Sequence, residues 1–429
     1  MLHFAEGSAS ADISREQASM LIDSMLRDLG ELHRVLILPP DITRLHSWAG
    51  ELTVMLYAKL KHINELKIMP TLGTHLPMEP DELDQMYPGI PHGHFLVHDW
   101  RKDCTVLGEV PAGVIEEISE GRLSMPVACD VNRVVTEGGW DRIFSVGQLV
   151  PHELAGIANF SKNVLIGAGG AETIAKSHFI AAVYGLERLM GRINSPMRKL
   201  LNYMEEHFIP QAPVTYLMTV RDEGGRGRRH TRGLFAGDDE QCYLQGARLC
   251  RDVSITLLDK PAQKIVAYLP ENEFKTTWVG NKSIFRTRMA LADGGELVIL
   301  APGVRQFGED AENDAFIRTC GYRTTPEMIE LVKSDQRVAA NLTPVAHIII
   351  STPDNRFNVT YCPGRLSKSD VESVHFGYAD PEAMLRRYDP EKLQEGFNTM
   401  PDGEEIYFVS QPSQGLWAVK EKFCTERDE

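Results

Sequence analysis

Short apolar runs alternate with helical patterns through the first half of the chain. Arg34–Leu38 is a continuous apolar run that ends at two prolines, which is typical of a strand buried in a mostly parallel sheet. Leu66–Leu72 and Phe144–Val150 repeat the pattern, and helical periodicity follows the first two runs at Trp48–Leu60 and Glu79–Met86. Strands that alternate with helices predict an α/β layer.

The second half shows the same alternation. We predict strands at Glu296–Leu300 and Val345–Ser351, and helices at Ala311–Cys320 and Pro326–Ser334. The strand pattern resumes near Val253, after a helical stretch, which places a domain boundary near this point. The predicted fold class is therefore α/β, with two α/β domains over residues 1–245 and 246–429. We expect mostly parallel sheets and an active site in the cleft between the domains.

Polar residues follow the predicted strands of the first half. Asp41 and Arg44 follow the first run, His75 follows the second, and His152 follows the third. Ligands of open α/β sheets bind beyond the carboxyl ends of the strands, so these side chains can converge. Each also has a structural alternative, since Asp41 could cap the next helix and a lone strand-end histidine is more often hydrogen-bonded for structure. Four such histidines, at positions 75, 98, 152 and 178, favour a site.

Residues 146–179 concentrate candidate chemistry. Lys162 lies ten positions after His152 and sixteen before His178. We expect Asn163–Ile166 to be a short strand, followed by a glycine-rich turn and a helix from Ala171. That turn could present backbone N–H groups to an anion, or it could be a plain entry to the helix.

Composition excludes several classes of protein. The 429 residues carry 60 acidic and 45 basic side chains, and a formal charge of −15 argues against nucleic acid or an anionic membrane as partners. The seven cysteines are scattered without a CxxC pair, so neither a disulfide framework nor a zinc knuckle is indicated. We expect a cytoplasmic protein without an export signal or membrane anchor.

Two basic segments have open interpretations. Asn281 and Lys282 open a helix, and Arg286 lies one turn beyond Lys282, so the two cations could bind a carboxylate or form a solvated face. Glu223–Gly233 is basic and glycine-rich, and could bind a phosphate or be a solvated loop.

The histidines indicate acid–base chemistry, because imidazole takes and gives a proton near neutral pH. His75 and His152 could flank a substrate carbon, as a racemase requires. Lys162 could form a covalent link to a cofactor or be an ordinary surface charge. One histidine alone is too few for a metal site, although imidazole suits nickel, zinc, copper or iron.

These residues resemble the nickel-dependent lactate racemase family. The resemblance covers most of the chain. Its motifs occur in the family's order and are Asp41-Ile-Thr-Arg44, Gly73-Thr-His75, Pro151-His152, Ser161-Lys162 and His178. The spacing from His152 to Lys162 and from Lys162 to His178 is also that of the family. It implies a nickel-pincer nucleotide (pyridinium-3-thioamide-5-thiocarboxylic acid mononucleotide) that Lys162 holds through a thioamide, with Ser161 beside it and His178 on the nickel. His75 and His152 would be the acid–base pair.

The resemblance implies a racemase or epimerase of a small 2-hydroxy acid, served by cofactor-synthesis proteins. The candidate substrate-binding residues are Asp41, Arg44, Asn281, Lys282 and Arg286. Two departures are visible, since the family's glycine-rich run before the lysine is Ala158-Asn-Phe-Ser here and its substrate-binding glutamine falls at Val279. We therefore expect a substrate other than lactate, such as a sugar acid. A nucleotide-dependent dehydrogenase and a non-catalytic cofactor-binding protein are the alternatives.

Overall fold

The structure is a computed structural model that describes residues 1–224, 228–413 and 415–423. Its chain divides into two units, the first comprising Met1–Ser177 with Met190–Ser254 and the second comprising His178–Leu189 with Ile255–Glu429. The predicted boundary at 245 falls inside the last helix of the first unit. Residues 178–189 also belong to the second unit. The prediction of two continuous domains did not include this exchange.

The elements up to residue 254 are as follows. The strands are β1 (Leu2–Gly7), β2 (Arg34–Leu38), β3 (Glu65–Ile68), β4 (Cys104–Val110), β5 (Val127–Asn132), β6 (Arg142–Leu149), β7 (Pro151–His152), β8 (Gly156–Ile157), β9 (Val214–Gly224) and β10 (Arg228–Gly237). The helices are α1 (Arg15–Leu29), α2 (Ala49–Leu60), α3 (Pro80–Met86), α4 (Ala112–Ile118), α5 (Arg133–Glu137), α6 (Ser161–Leu165), α7 (Ala171–Tyr184), α8 (Leu186–Leu189), α9 (Pro196–Phe208) and α10 (Glu240–Ser254), with short 3-10 helices at Ile42–Ser47 and His92–His94.

The first unit is built on a six-stranded sheet in the order β1-β10-β9-β6-β2-β3. The four strands β9, β6, β2 and β3 are parallel to one another, and β10 and β1 extend the sheet beyond β9 in antiparallel fashion. Four of the five residues of β2 are fully buried, which explains its unbroken apolar sequence, because a parallel strand is covered on both faces. Two hairpins, β4–β5 and β7–β8, stand apart from this sheet.

The elements from residue 255 onward are as follows. The strands are β11 (Ile255–Leu258), β12 (Ala262–Tyr268), β13 (Leu291–Ala301), β14 (Asn358–Pro363), β15 (Gly377–Tyr378), β16 (Gly396–Thr399), β17 (Glu405–Val409) and β18 (Leu416–Val419). The helices are α11 (Thr277–Gly280), α12 (Lys282–Thr287), α13 (Ala311–Cys320), α14 (Thr325–Ser334), α15 (Gln336–Ala339), α16 (Leu342–Ser351), α17 (Lys368–Ser373), α18 (Pro381–Arg387) and α19 (Lys420–Phe423).

The second unit has its own six-stranded sheet in the order β15-β14-β13-β12-β17-β16. All pairs in it are parallel except β16 with β17, and β11 pairs in parallel with β18 beside it. Val298, Leu300 and Phe408 lie in one apolar core of this unit. The mixed α/β class with mostly parallel sheets is therefore confirmed.

Three segments differ from the sequence-based prediction. Asn163–Ile166 is not a strand, because Asn163 and its neighbours lie in helix α6. Val345–Ser351 is likewise helical, within α16, whose buried face carries the β-branched residues that imitate a strand pattern. The basic segment from Glu223 is the end of a β9–β10 hairpin rather than a loop; its residues 225–227 lie outside the described part of the chain.

No helix in the described part of the chain is both long and apolar enough to span a bilayer.

Candidate active site

Three adjacent parallel strands carry the candidate acid–base residues. β6, β2 and β3 are neighbours in this order in the first unit's sheet and run parallel, so their carboxyl ends lie at one edge. Asp41 follows β2, His75 follows β3 and His152 follows β6. The predicted placement of these residues at the strand ends is confirmed.

Asp41 and His75 form a hydrogen-bonded pair. His75 Nδ1 donates to Asp41 Oδ2 at 2.5 Å, and Thr43 donates to Oδ1 of Asp41 from its hydroxyl and its backbone N–H. Burial opposes ionisation of Asp41, but these hydrogen bonds and the nearby positive charges outweigh it and lower the pKa of the carboxyl. With its Nδ1 proton directed at Asp41, neutral His75 has Nε2 as its proton acceptor. The His75 side chain is 53% exposed, so this nitrogen belongs to an accessible ring.

His152 lies in the β7–β8 hairpin, opposite Gly156. The backbone N–H of Leu154 donates to His152 Nδ1 at 3.0 Å, which places the proton of the neutral ring on Nε2. The residue is 9% exposed. In the neutral rings, Nε2 of His75 can therefore accept a proton and Nε2 of His152 can donate one.

Asn163 anchors the helix of Lys162 to the same sheet edge. Its Nδ2 donates to the carbonyl oxygen of Leu38 at 3.1 Å and to Ser145 Oγ at 2.9 Å, while Thr71 donates to its Oδ1 at 2.9 Å. These partners come from the end of β2, from β6 and from the segment after β3. Lys162 is therefore fixed beside the strand ends that carry the other candidates.

Lys162 is a partly buried lysine with a depressed pKa. Desolvation is the main cause, and together with the positive charges of Arg44 and Arg198 it lowers the pKa to about 8. The carboxylates of Glu153 and Asp41 act in the opposite direction without restoring the usual value of 10.5. At pH 7 about a tenth of such amines are neutral, and the neutral amine is the nucleophilic form.

The glycine-rich turn is not an open anion site, because Asp130 fills it. Gly170 N–H donates to the carbonyl oxygen of Asp130 at 2.9 Å, and the backbone N–H groups of Glu172 and Thr173 donate to its carboxylate at 3.3 and 2.9 Å. A Cβ at Gly170 would lie 2.1 Å from Asp130 Oδ2, which explains the glycine. The plain helix-entry alternative is therefore correct for this turn.

Ser161 is engaged inside the protein. It is fully buried, its hydroxyl donates to Asn202 Oδ1 at 3.0 Å, and Arg198 Nη1 donates to it at 2.8 Å. Ser161 was predicted to contact a cofactor. Its observed contacts favour a different role, in which it holds the segment that contains Lys162 in place. The roles of Arg198 and Asn163 were not predicted from the sequence. For Arg198, the available signal was an arginine within the apolar pattern of α9.

Of the other two histidines predicted at strand ends, His178 lies within helix α7 and His98 has a structural role. Its Nε2 donates to the carbonyl oxygen of Gly169 at 3.1 Å, and Asn132 Nδ2 donates to its Nδ1 at 2.9 Å. Burial lowers the pKa of His98, which keeps the neutral ring that this pattern needs.

The second unit contains the other candidates. Asn281 is fully buried and accepts a hydrogen bond from Tyr361 at 2.8 Å. Arg286 is 5% exposed and donates to the carbonyl oxygen of Gly415 at 3.2 Å. For these two residues the contacts favour packing of this unit over the predicted substrate binding.

Lys282, at the start of α12, is only partly buried, as is His178 in α7. Within residues 1–224, 228–413 and 415–423 no group of three or more His, Cys, Asp or Glu side chains is placed to hold a metal ion. A metal bound through His178 would therefore need ligands other than these side chains.

Part of the chain is similar in sequence to lactate racemases. Residues 19–186 match the model of the lactate racemase N-terminal domain. A lactate racemase from Thermoanaerobacterium thermosaccharolyticum is 23% identical over 248 residues, which are 55% of this chain and 51% of that protein. The alignment thus spans about half the length of this curated relative.

Two solved structures have the same fold. A crystal structure of a protein from Thermotoga maritima superposes with a TM-score of 0.80 and 23% identity over 95% of this chain and 99% of that one. The lactate racemase apoprotein from Thermoanaerobacterium thermosaccharolyticum gives a TM-score of 0.68 and 16% identity over 91% of this chain and 88% of that one. Residues 19–186 thus match a lactate racemase N-terminal domain, and the chain as a whole shares the fold of these two structures.

Proposed function

We propose that the chain is a nickel-dependent racemase or epimerase of a 2-hydroxy acid. The observation that carries the proposal is that His75 and His152 both follow strands at one edge of the sheet, to which Asn163, the neighbour of Lys162, is hydrogen-bonded. The match of residues 19–186 to the lactate racemase N-terminal domain supports the same reaction class.

The residues of the chain fit the nickel-pincer nucleotide. Lys162 offers an amine that is partly neutral near pH 7 and can therefore be joined to a thioamide carbon. His178 offers an imidazole, a common ligand of nickel. When bound, the cofactor would accept a hydride from the carbon that bears the substrate hydroxyl and return it to either face.

The two histidines would manage the hydroxyl proton. His75 Nε2 accepts it while Asp41 holds the other ring nitrogen and stabilises the charge that forms. His152 presents an Nε2 proton that can be donated to the carbonyl oxygen when the alcohol re-forms. Reversal of the reaction exchanges these roles, as the interconversion of two stereoisomers requires.

Arg44 is the proposed anchor for the substrate carboxylate in the first unit, since its charge acts on both Asp41 and Lys162. Lys282 remains the proposed second anchor. Asn281 and Arg286 are weaker candidates because both are buried with internal partners. Because the amide oxygen of Asn281 is bonded to Tyr361, this residue no longer supports the prediction of a sugar acid as substrate. We therefore propose a 2-hydroxy acid without further specification.

Loading with the cofactor tests the proposal. The chain is co-expressed with cofactor-synthesis proteins, and intact mass and nickel content are measured. We expect an adduct and nickel in the wild type and neither in Lys162→Ala. Lys176→Ala is the matched control, since Lys176 pairs with Glu172 and the carbonyl oxygen of Pro126. An adduct that persists in Lys162→Ala contradicts the proposal.

Substrates are then compared on the loaded protein. Lactate, malate and gluconate of one configuration are each incubated, and the opposite configuration at C2 is assayed. We expect conversion of at least one of these acids without added nicotinamide cofactor. A reaction that depends on added NAD would instead indicate a dehydrogenase.

A further inference from the structure

Arg198, in α9, is a buried cation with no carboxylate partner among the residues that the structure describes. It is 1% exposed, and its hydrogen bonds within the described residues go to two carbonyl oxygens and one hydroxyl. Glu205, on the same helix, bonds to Tyr216 instead, and burial raises the pKa of that carboxyl. The guanidinium carbon also lies 4.2 Å from the centroid of the Tyr243 ring, a cation–π contact that offsets part of the cost of burying a charge without a counter-charge.

The contacts of Arg198 join two parts of the candidate site. Nη2 donates to the carbonyl oxygen of Ile157 at 2.8 Å and to that of Asn159 at 3.1 Å, while Nη1 donates to Ser161 Oγ at 2.8 Å. Ile157 lies in β8, which pairs with the strand of His152. Ser161 begins α6 and precedes Lys162. One planar group thus links the hairpin of His152 to the helix of Lys162.

The segment between these parts has an unusual backbone. Asn159 and Phe160 have φ values of 66° and 57°, a region that residues with a Cβ rarely adopt. Such a conformation persists only where the surroundings impose it. The Phe160 ring packs against Tyr216 and Tyr243, with centroids 4.2 and 5.3 Å away.

The start of α9 holds the same hairpin from a second point. Ser195, the N-cap of α9, donates from its hydroxyl to the carbonyl oxygen of Ala155 at 3.0 Å. Gly191 N–H donates to the carbonyl oxygen of Gly156 at 2.9 Å. Ala155 and Gly156 lie between His152 and the segment that Arg198 binds, so α9 and the residues just before it support this segment at several points.

We propose that Arg198 is a positioning residue, whose forked guanidinium sets the orientation of Lys162 relative to His152. This inference rests on the function proposed above for those two residues. A lysine at position 198 would keep the charge but not the fork, because one ammonium group cannot reproduce the planar, divergent donors of a guanidinium. The conservative replacement therefore separates positioning from charge.

The test follows the titration of Lys162 in the full-length protein without cofactor. Lysines are acetylated with acetic anhydride from about pH 6 to about pH 11, and the modified peptides are quantified by mass spectrometry. The wild-type midpoint for Lys162 should lie near 8. The charged groups that act on this amine are Arg44, Glu153, Arg198 and Asp41.

We expect the midpoint to rise by about one pH unit or more in both Arg198→Lys and Arg198→Met, because release of the segment admits water to the amine. Arg142→Lys is the control; Arg142 is at the start of β6 and bonds to Thr215 and Asp238. Its midpoint should stay near that of the wild type. A folded Arg198→Lys variant with an unchanged midpoint overturns the proposal.

Ser161→Ala covers the case in which the Arg198 variants do not fold. It removes one of the partners of Arg198 with little change in volume, and we expect a smaller rise of the midpoint in the same direction. An unchanged midpoint in folded Ser161→Ala overturns the proposal. The titration needs no cofactor, so a chain that never acquires nickel would refute the proposed function and still give this result.

Discussion

His75 Nδ1 and Asp41 Oδ2 lie 2.5 Å apart, although 34 residues separate them in the chain. The carboxylate is 4% exposed, and both of its oxygens are used, one by His75 and the other by Thr43. Asp41 was predicted to bind substrate. Its contacts favour another role, in which it orients His75 and stabilises the imidazolium.

Asp41→Asn tests this role. The amide keeps the shape of the carboxylate but removes its charge, so we expect a loss of about 10²-fold in kcat with a smaller change in KM. Thr43→Val, which removes one donor to the same carboxylate, should cost less. The measurement is steady-state kinetics of the loaded protein on its substrate. A rise in KM at constant kcat would instead support substrate binding by Asp41.

Replacement of His75 or His152 by Ala should each lower kcat by about 10² to 10⁴-fold, the usual loss for a general acid or base. Circular dichroism should show an intact fold. His92→Ala is the control, since His92 lies in an exposed 3-10 helix and pairs with Asp84. Near-normal turnover in either catalytic variant would eliminate the two-base scheme.

Lys162 should make the stability of the protein without cofactor depend on pH. Its folded-state pKa of about 8 lies below the ordinary value of 10.5, so between these values the unfolded chain binds more protons than the folded one. The resulting cost is fully present below about pH 8 and fades as the pH rises towards 10.5.

Lys162→Met should therefore be more stable than the wild type at pH 7, by about 1–3 kcal/mol, with the difference shrinking near pH 10. Urea unfolding of both proteins at the two pH values measures it. A constant difference would show that the charge of Lys162 is not the cause.

Asp130→Ala should lower the free energy of unfolding by about 1–2 kcal/mol, because it removes the acceptor for the first N–H groups of α7. Asp130→Asn, which keeps an oxygen acceptor, should lose less. Thermal unfolding measures both. Added phosphate should not stabilise the wild type through this turn, since Asp130 already occupies it.

His178→Ala should separate metal from cofactor. If His178 binds nickel and Lys162 holds the organic part, the variant should keep the mass adduct and lose most of its nickel. Intact mass and metal analysis on the same sample decide this. Wild-type nickel content in the variant would rule out His178 as a ligand.

The sequence by itself determined the elements whose patterns are local. The unbroken apolar run of β2 is typical of a strand covered on both faces, and that is where it lies. Likewise, Asp41, His75 and His152 were placed at strand ends because the apolar runs stop just before them. Their spacing with Lys162 and His178 also indicated the resemblance to lactate racemases.

Tertiary structure alone decided the partners of these residues. Asn163 reads as part of a strand in sequence, yet it begins a network across β2, β6 and the segment after β3, which no local pattern encodes. Arg198 and Asp130 act on residues 37 and 43 positions away. Hydrogen bonds of this kind join side chains that meet only after the sheet has formed. The residues that hold the candidate site in place therefore could not be predicted from the sequence, whereas the residues at the strand ends could.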